Sequence, residues 1–386
     1  MPRLPPSLFW RARREISPMA AQLLPACRDL ESAANELRWI RQHVRDTRSP
    51  VPPALRVWRL VEKRGRGVPL QYVLGTQPFG HLEIRCKPGV LIPRPETEAY
   101  TLYLASLLCK EQALSTNPPP SLSILDLCTG TGCIPLLLLH SLRQCPSLSQ
   151  TSLHAHGIDI SPHAVRLARL NQAHNHHHLL LSPASSVSKR TTHHDSNLKL
   201  EESVEFHFTQ ADIFSPNLPL PPSYLSQPRR YPHAWDVLTC NPPYISACGF
   251  GRDTARGVRN HEPRLALVPP DAGPRPGGLL LAAQYGCRPE DVFYARVLEM
   301  AAVLKPRRVV LEVGGWEQAR RVVGELLSRR RDVAGLYPTV EIWRDDPDAG
   351  EGMTREVVEI GGREVRVIGE GMGRVVYLYH GTKERG

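Results

Sequence analysis

The spacing of hydrophobic positions changes period along the chain. Leu30, Ala33, Ala34, Leu37, Ile40 and Val44 recur three or four residues apart, the spacing of one helix face. Residues 19–64 therefore read as helical. Pro50, Pro52 and Pro53 end the first long helix, and a second is expected over about 54–64. Residues 79–92, FGHLEIRCKPGVLI, alternate with period two around Pro88-Gly89, which predicts a β-hairpin turning there. PRPETE (93–98) then opens a helix over about 96–113.

From residue 122 the pattern becomes short apolar runs separated by helical stretches. LSILDLC (122–128), LHAHGIDI (153–160), VEFHFTQAD (204–212), WDVLTC (235–240) and RRVVLEVG (307–314) read as strands. Helices are expected at 132–143, 161–173, 290–304 and 316–330. Ser161 is an N-cap with Pro162 in the first position. Such alternation predicts an α/β doubly wound, mostly parallel sheet. TVEIWRD, EVVEIGGREVRVIG and GRVVYLYHG read as antiparallel strands closing its edge. Residues 174–203, rich in His and Ser, and 215–233, rich in Pro, look like inserts. The His spacing fits no ordered metal site, and no metal is expected.

With 386 residues and 41% hydrophobic content, the chain can bury more than one core, and two domains are expected. No apolar run approaches the ~20 residues of a membrane helix, so a soluble protein is expected. The net charge of +10 favours an anionic partner such as RNA or a ribosome-associated protein; solvated surface arginines explain it equally well. Nine cysteines without a CxxC pair fit a reducing compartment. Residues 1–17 carry Arg3, Arg11, Arg13 and Arg14 against Glu15 alone. They read as an organelle transit peptide or as a disordered N-terminus.

Chemistry concentrates where strands end. DLCTGTG (126–132) follows a buried strand and opens a helix. Gly130 and Gly132 let backbone approach a ligand at the carboxyl edge of the sheet. A dinucleotide fingerprint would need a third glycine where Pro135 stands, which leaves another nucleoside cofactor. Asp159 ends the next strand, where an acid can accept hydrogen bonds from ribose hydroxyls. Asp212, followed by Ile213, ends the third. The fourth ends in Asn241-Pro242-Pro243-Tyr244. Two consecutive prolines stop a strand, but a strand stop does not require an amide and an aromatic ring beside them.

The chain resembles the HemK/PrmC-type class I methyltransferases over most of residues 19–344. The resemblance is carried by PLQYVLGTQPFG (69–80), VLIPRPETE (90–98), ILDLCTGTGCI (124–134), GIDIS (157–161), NPPYI (241–245) and VRNHEPRLAL (258–267). It departs at Cys128, where the family usually has glycine, and in the two inserts. It implies S-adenosylmethionine as cofactor and methylation of the glutamine side-chain nitrogen of a class I peptide chain release factor. Cys128, Thr129, Gly130, Thr131 and Gly132 would wrap the cofactor's methionine end. Asp159 would hold the ribose, and Asp212 with Ile213 would flank the adenine. Asn241 and Pro242 would each accept one N–H of the target amide, Pro243 would stiffen that carbonyl, and Tyr244 would stack on the amide plane.

Arg94, Pro95 and Glu98 would lie at the domain junction as a hinge or a ligand contact. Glu262 and Pro263 would shape the substrate entrance, with a loop ion pair as the alternative for Glu262. The domains implied are a transit peptide (1–17), a helical recognition domain (18–78), a linking hairpin (79–92) and a catalytic domain (93–386). A monomer is expected, in the mitochondrion or alternatively the cytoplasm.

NPPY alone also fits a nucleic-acid amino-methyltransferase, since an exocyclic base amine is another planar, weak nucleophile. That class would carry a base-recognition domain, and no basic-aromatic interleaving marks one here. A vestigial binding factor is a third class, disfavoured by the intact Asp159 and NPPY.

Overall fold

The computed structural model describes residues 3–115, 119–180, 204–216, 218, 235–270, 278–328, 330–349 and 356–381. The larger parts of both inserts, residues 181–203 and 219–234, lie outside the described residues. The chain forms two units: Met1–Gln77 with Arg85–Ile92 and Asp253–Pro263, and Pro78–Ile84 with Pro93–Arg252 and Arg264–Gly386.

The first unit is helical. It contains α1 (Pro6–Arg11), a wide π turn (Ala12–Ile16), α2 (Pro18–Cys27), α3 (Leu30–Asp46), α4 (Pro53–Gly65) and α5 (Leu70–Leu74). Caps set the starts. Ser17 Oγ accepts from Ala20 N, and Asp29 Oδ1 accepts from Ser32 N at 2.7 Å. The apolar stripe read from the sequence is the buried one: Ala33, Leu37, Ile40 and Val44 pack with Leu23, Leu24, Val57 and Val61. At about 1.5–3 kcal/mol per large side chain, this burial outweighs helix propensity. Ala12 is buried in the same core, with Leu4, Leu8 and Phe9 packed against it.

Two later segments complete this unit, so the recognition domain expected at 18–78 is not one continuous stretch. Cys86 N donates to Gly75 O, and the Tyr72 hydroxyl to Val90 O at 2.7 Å. Ile92 N donates to Glu262 Oε2 at 3.1 Å. Glu262, expected at a substrate entrance or in a loop ion pair, is thus a buried acceptor for a backbone N–H. The hairpin also differs from expectation. β1 (Thr76–Phe79) and β2 (Leu82–Arg85) turn at Gly80-His81, where Gly80 has φ +57°. Pro88-Gly89 makes a separate turn closed by Val90 N to Lys87 O. The turn at 80–81 keeps Phe79, Leu82 and Ile84 buried together.

The second unit is built on a nine-stranded sheet. Its strands are β3 (Ser121–Leu127), β4 (Ser152–Asp159), β5 (Val204–Gln210), β6 (Val237–Cys240), β7 (Arg308–Glu312), β8 (Thr339–Asp346), β9 (Glu356–Ile360), β10 (Arg363–Ile368) and β11 (Glu370–Tyr379), in the order β5-β4-β3-β6-β7-β11-β8-β10-β9. β5, β4, β3, β6 and β7 run parallel, and β11 is antiparallel to both β7 and β8. The edge is not all antiparallel, because β10 pairs with β8 in parallel and with β9 antiparallel.

β3, β6 and β7 are apolar on both faces because helices cover both. α6 (Pro95–Leu114), α7 (Cys133–Arg143) and α8 (Pro162–His174) pack on the face of Ile124, Val237 and Val310. The helices Val292–Leu304 and Trp316–Arg321, the latter running on as a π turn to Leu327, cover the face of Leu125, Leu238 and Leu311. Gly157 in β4 permits a close approach. A Cβ there would stand 2.6 Å from Phe208 Cδ1 and 2.7 Å from Thr129 Oγ1.

Candidate active site

Strand order reverses between β3 and β6: from β3 the chain adds β4 and β5 on one side, then β6 and β7 on the other. In an open parallel sheet, ligands bind beyond the carboxyl ends at that switch point. The register aligns the tips. Leu127 pairs with both Ile158 and Cys240, and Cys240 with Leu311. Cys128, Asp159, Asn241 and Glu312, each the next residue on its strand, therefore share one edge.

Cys128 opens the turn with φ +60°, in the left-handed region. This costs a non-glycine residue about 1–2 kcal/mol and gives a physical reason for glycine at this position. Its thiol lies against that of Cys240; this contact and burial push it well above the ordinary thiol range. Cys128→Gly should be more stable than Cys128→Ala by about 1 kcal/mol, because only glycine relieves the strain. Denaturant unfolding of the two variants checks this, and equal midpoints would contradict it.

Gly130, at φ +56°, borders open space: a Cβ there would meet only Cys128 O, at 4.0 Å. Gly132 does other work. At φ +78° it caps α7, and a Cβ would press on Ala168 and Phe208 at 3.1–3.2 Å. Thr129 N donates to Ile158 O, and Thr131 O accepts from Asn171 Nδ2, which fix the turn's ends. Behind it, Asp126 is fully buried. Its Oδ1 accepts from the Thr239 hydroxyl at 2.6 Å, and burial pushes the carboxyl up to about 7. Asp126 Oδ2 and Thr129 Oγ1 have no partner among the described residues.

Asp159 ties the second tip to the turn. Oδ2 accepts from Gly130 N at 2.9 Å and Oδ1 from Ser161 N at 2.8 Å. Burial raises its pKa, and these amides oppose the rise. Each oxygen keeps a second lone pair. Asp212 makes a local turn, its Oδ1 accepting from Phe214 N. Ile213 is buried in the core, and its carbonyl accepts from Arg296 Nε at 2.8 Å.

Asn241 is partly exposed, and Pro242 and Pro243 are buried. Among the described residues, nothing is hydrogen-bonded to the Asn241 side chain or the Pro242 carbonyl. Tyr244 is held instead. Its hydroxyl donates to Glu312 Oε1 at 3.3 Å, and its carbonyl accepts from Gln318 Nε2 at 3.2 Å. Ile245 N donates to Leu267 O at 2.8 Å. Glu312 Oε2 accepts from the Thr97 hydroxyl at 2.7 Å. Burial raises the Glu312 pKa, against the hydroxyls and Arg374.

Thr97 lies in the first turn of α6, whose N-cap is Arg94 and whose first residue is Pro95. Glu98 N donates to Arg94 O. The RPETE segment is thus a helix start connected through Glu312 to Tyr244. Sequence reasoning passed over Asp126, Glu312 and Gln318. Glu312 carried a usable signal: like Asp159, it is an acid closing a strand.

Five parallel strands with an antiparallel strand between the fifth and sixth, and a glycine turn at the switch point, define the class I S-adenosylmethionine-dependent methyltransferase fold. No family model matches the chain. Curated proteins do. The mitochondrial MRF1 N(5)-glutamine methyltransferase of Saccharomyces cerevisiae is 35% identical over 268 residues, 69% of this chain and 68% of the relative. The release factor glutamine methyltransferase of Mycolicibacterium smegmatis is 32% identical over 236 residues, 61% of this chain and 63% of the relative. Among solved structures, the N-terminal domain of human METTL16 aligns at a TM-score of 0.39 and 12% identity over 90% of this chain and 94% of that one, a likeness too loose to add to the sheet order. The chain belongs to the release factor glutamine methyltransferase family.

Proposed function

We propose that the protein methylates the side-chain amide nitrogen of the glutamine in the Gly-Gly-Gln loop of a class I peptide chain release factor, in the mitochondrion. One observation carries this: NPPY begins on the residue after Cys240, at the switch point itself, with its amide and first carbonyl unclaimed. The compartment rests on the name of the yeast relative.

The residues fit the cofactor. Open ground lies over Gly130, Asp159 keeps free lone pairs at the second tip, and the buried Asp126 carboxyl behind the turn favours a cation. S-adenosylmethionine supplies an electrophilic methyl group. The turn 128–132 would hold its methionine end, Asp159 its ribose, and Asp212 with Ile213 its adenine.

An amide nitrogen is a weak nucleophile because its lone pair is delocalised into the carbonyl. The Asn241 Oδ1 and the Pro242 carbonyl would each accept one N–H, fixing the amide plane and aiming the nitrogen. Pro242 and Pro243 keep that carbonyl from moving. The Tyr244 ring would lie on the amide face. The nitrogen sheds its proton after transfer, so no strong base is needed.

Radiolabelled methyl transfer to purified mitochondrial and cytosolic release factors tests the function. Label is expected on the mitochondrial factor and lost when its loop glutamine is replaced by alanine. Label surviving that replacement, or appearing on RNA instead, overturns the function.

The first unit would grip the release factor. Trp39 and Trp58 are exposed on it, and a cleft of about 310 Å³ is lined by His43, Arg56, Arg59, Leu60, Glu62, Lys63 and Arg66, predominantly basic residues. Arg59→Glu with Lys63→Glu should raise KM for the release factor roughly tenfold and leave kcat unchanged, since surface charges act on encounter. Steady-state kinetics at varied release factor would show it.

A further inference from the structure

Tyr244 is gripped at both ends by one short segment, Glu312 to Gln318. The hydroxyl donates to Glu312 Oε1, and the carbonyl accepts from Gln318 Nε2. Gln318 is itself fixed, taking Gly314 N on Oε1 at 2.8 Å and donating to Asp291 Oδ1 at 2.8 Å. Glu312 is fixed on its other oxygen by Thr97 and is 1% exposed.

A buried carboxylate is expensive to desolvate, and this one is held by the hydroxyls of Thr97 and Tyr244. A leucine would fill this space but could not accept the Tyr244 hydroxyl. A ring free at its hydroxyl swings about two torsions; a ring tied there is a fixed wall. The difference matters for a nucleophile this weak, because a displacement of about 1 Å can cost a hundredfold in rate.

We infer that Glu312 is a positioning residue for methyl transfer: it fixes the Tyr244 ring against which the substrate amide lies, and Thr97 orients it. This rests on the function proposed above, through the contact of Tyr244 with the amide.

The test compares full-length variants acting on the mitochondrial release factor. Glu312→Leu should lower kcat ten- to a hundredfold while the dissociation constant for S-adenosylmethionine stays within twofold. Glu312→Gln keeps an acceptor and should restore kcat to within about fivefold of wild type. Tyr244→Phe should lose kcat to a similar degree, and adding Glu312→Leu to it should cost less than threefold more. Three outcomes overturn the inference: undiminished kcat in Tyr244→Phe, whether or not Glu312→Leu folds; losses that multiply in full in the double variant; or a folded Glu312→Gln as slow as Glu312→Leu. Each leaves the proposed function standing if wild type still labels the loop glutamine. A wild-type chain inert toward the release factor overturns both.

Discussion

Replacing Asn241 with alanine should lower kcat on the release factor by at least a hundredfold and move the dissociation constant for S-adenosylmethionine less than threefold. The side chain is partly exposed beyond β6, and nothing described in the chain is bonded to it. Its removal therefore leaves no buried group stranded. What goes is one of the two acceptors proposed for the substrate amide. With the Pro242 carbonyl alone, the amide can pivot about a single hydrogen bond, and its nitrogen spends little time in line with the methyl. Losing one preorganised partner of a reacting group typically costs a hundred- to a thousandfold. Initial rates together with calorimetric binding of the cofactor separate the two effects. Near-normal turnover would remove Asn241 from the chemistry.

Replacing Asp159 with asparagine should give the opposite split: cofactor affinity falls about a hundredfold, and kcat at saturating cofactor changes little. Both carboxylate oxygens already accept backbone N–H groups, from Gly130 and Ser161. An asparagine has one acceptor oxygen, so its NH2 group must face an N–H donor. The turn then loosens, and the charge-assisted bonds proposed to the ribose hydroxyls, at about 1.5–3 kcal/mol each, are weakened or lost. An interaction made equally before and during transfer shows in affinity rather than in turnover. Calorimetry and saturation kinetics on one preparation decide it. A fallen kcat with unchanged affinity would place Asp159 elsewhere in the cycle.

The centre of the sheet was legible because β3, β6 and β7 are apolar on both faces and each ends in a residue of another kind. LSILDLC and WDVLTC announce buried strands, and the glycine turn after the first and the NPPY after the second announce a site. Partners distant in sequence were not legible. Nothing in Glu262 points to Ile92, 170 positions earlier, or in Thr97 to Glu312, 215 positions later. A carboxylate at a loop or a strand end looks the same whether it meets water, an arginine or a backbone N–H. The hairpin shows a different limit. Pro88-Gly89 is a real turn with Gly89 at φ +90°, but Gly80 at φ +57° makes another, and only the shared burial of Phe79, Leu82 and Ile84 selects the one between strands. Cys128 stood out as a departure from its family. Its meaning needed the backbone angle.

The bond between Ile92 and Glu262 sets an order of events during synthesis. The helical unit is made first, yet its buried acceptor leaves the ribosome 170 residues after the amide it serves. At about 5–20 residues per second, that is a delay of roughly 10–30 seconds. β3, β4, β5 and β6 are all translated within it. The nascent chain thus carries an unfinished leading unit while four of the nine strands of its sheet are made, and the earliest part of the molecule waits for a residue from beyond the middle of the chain.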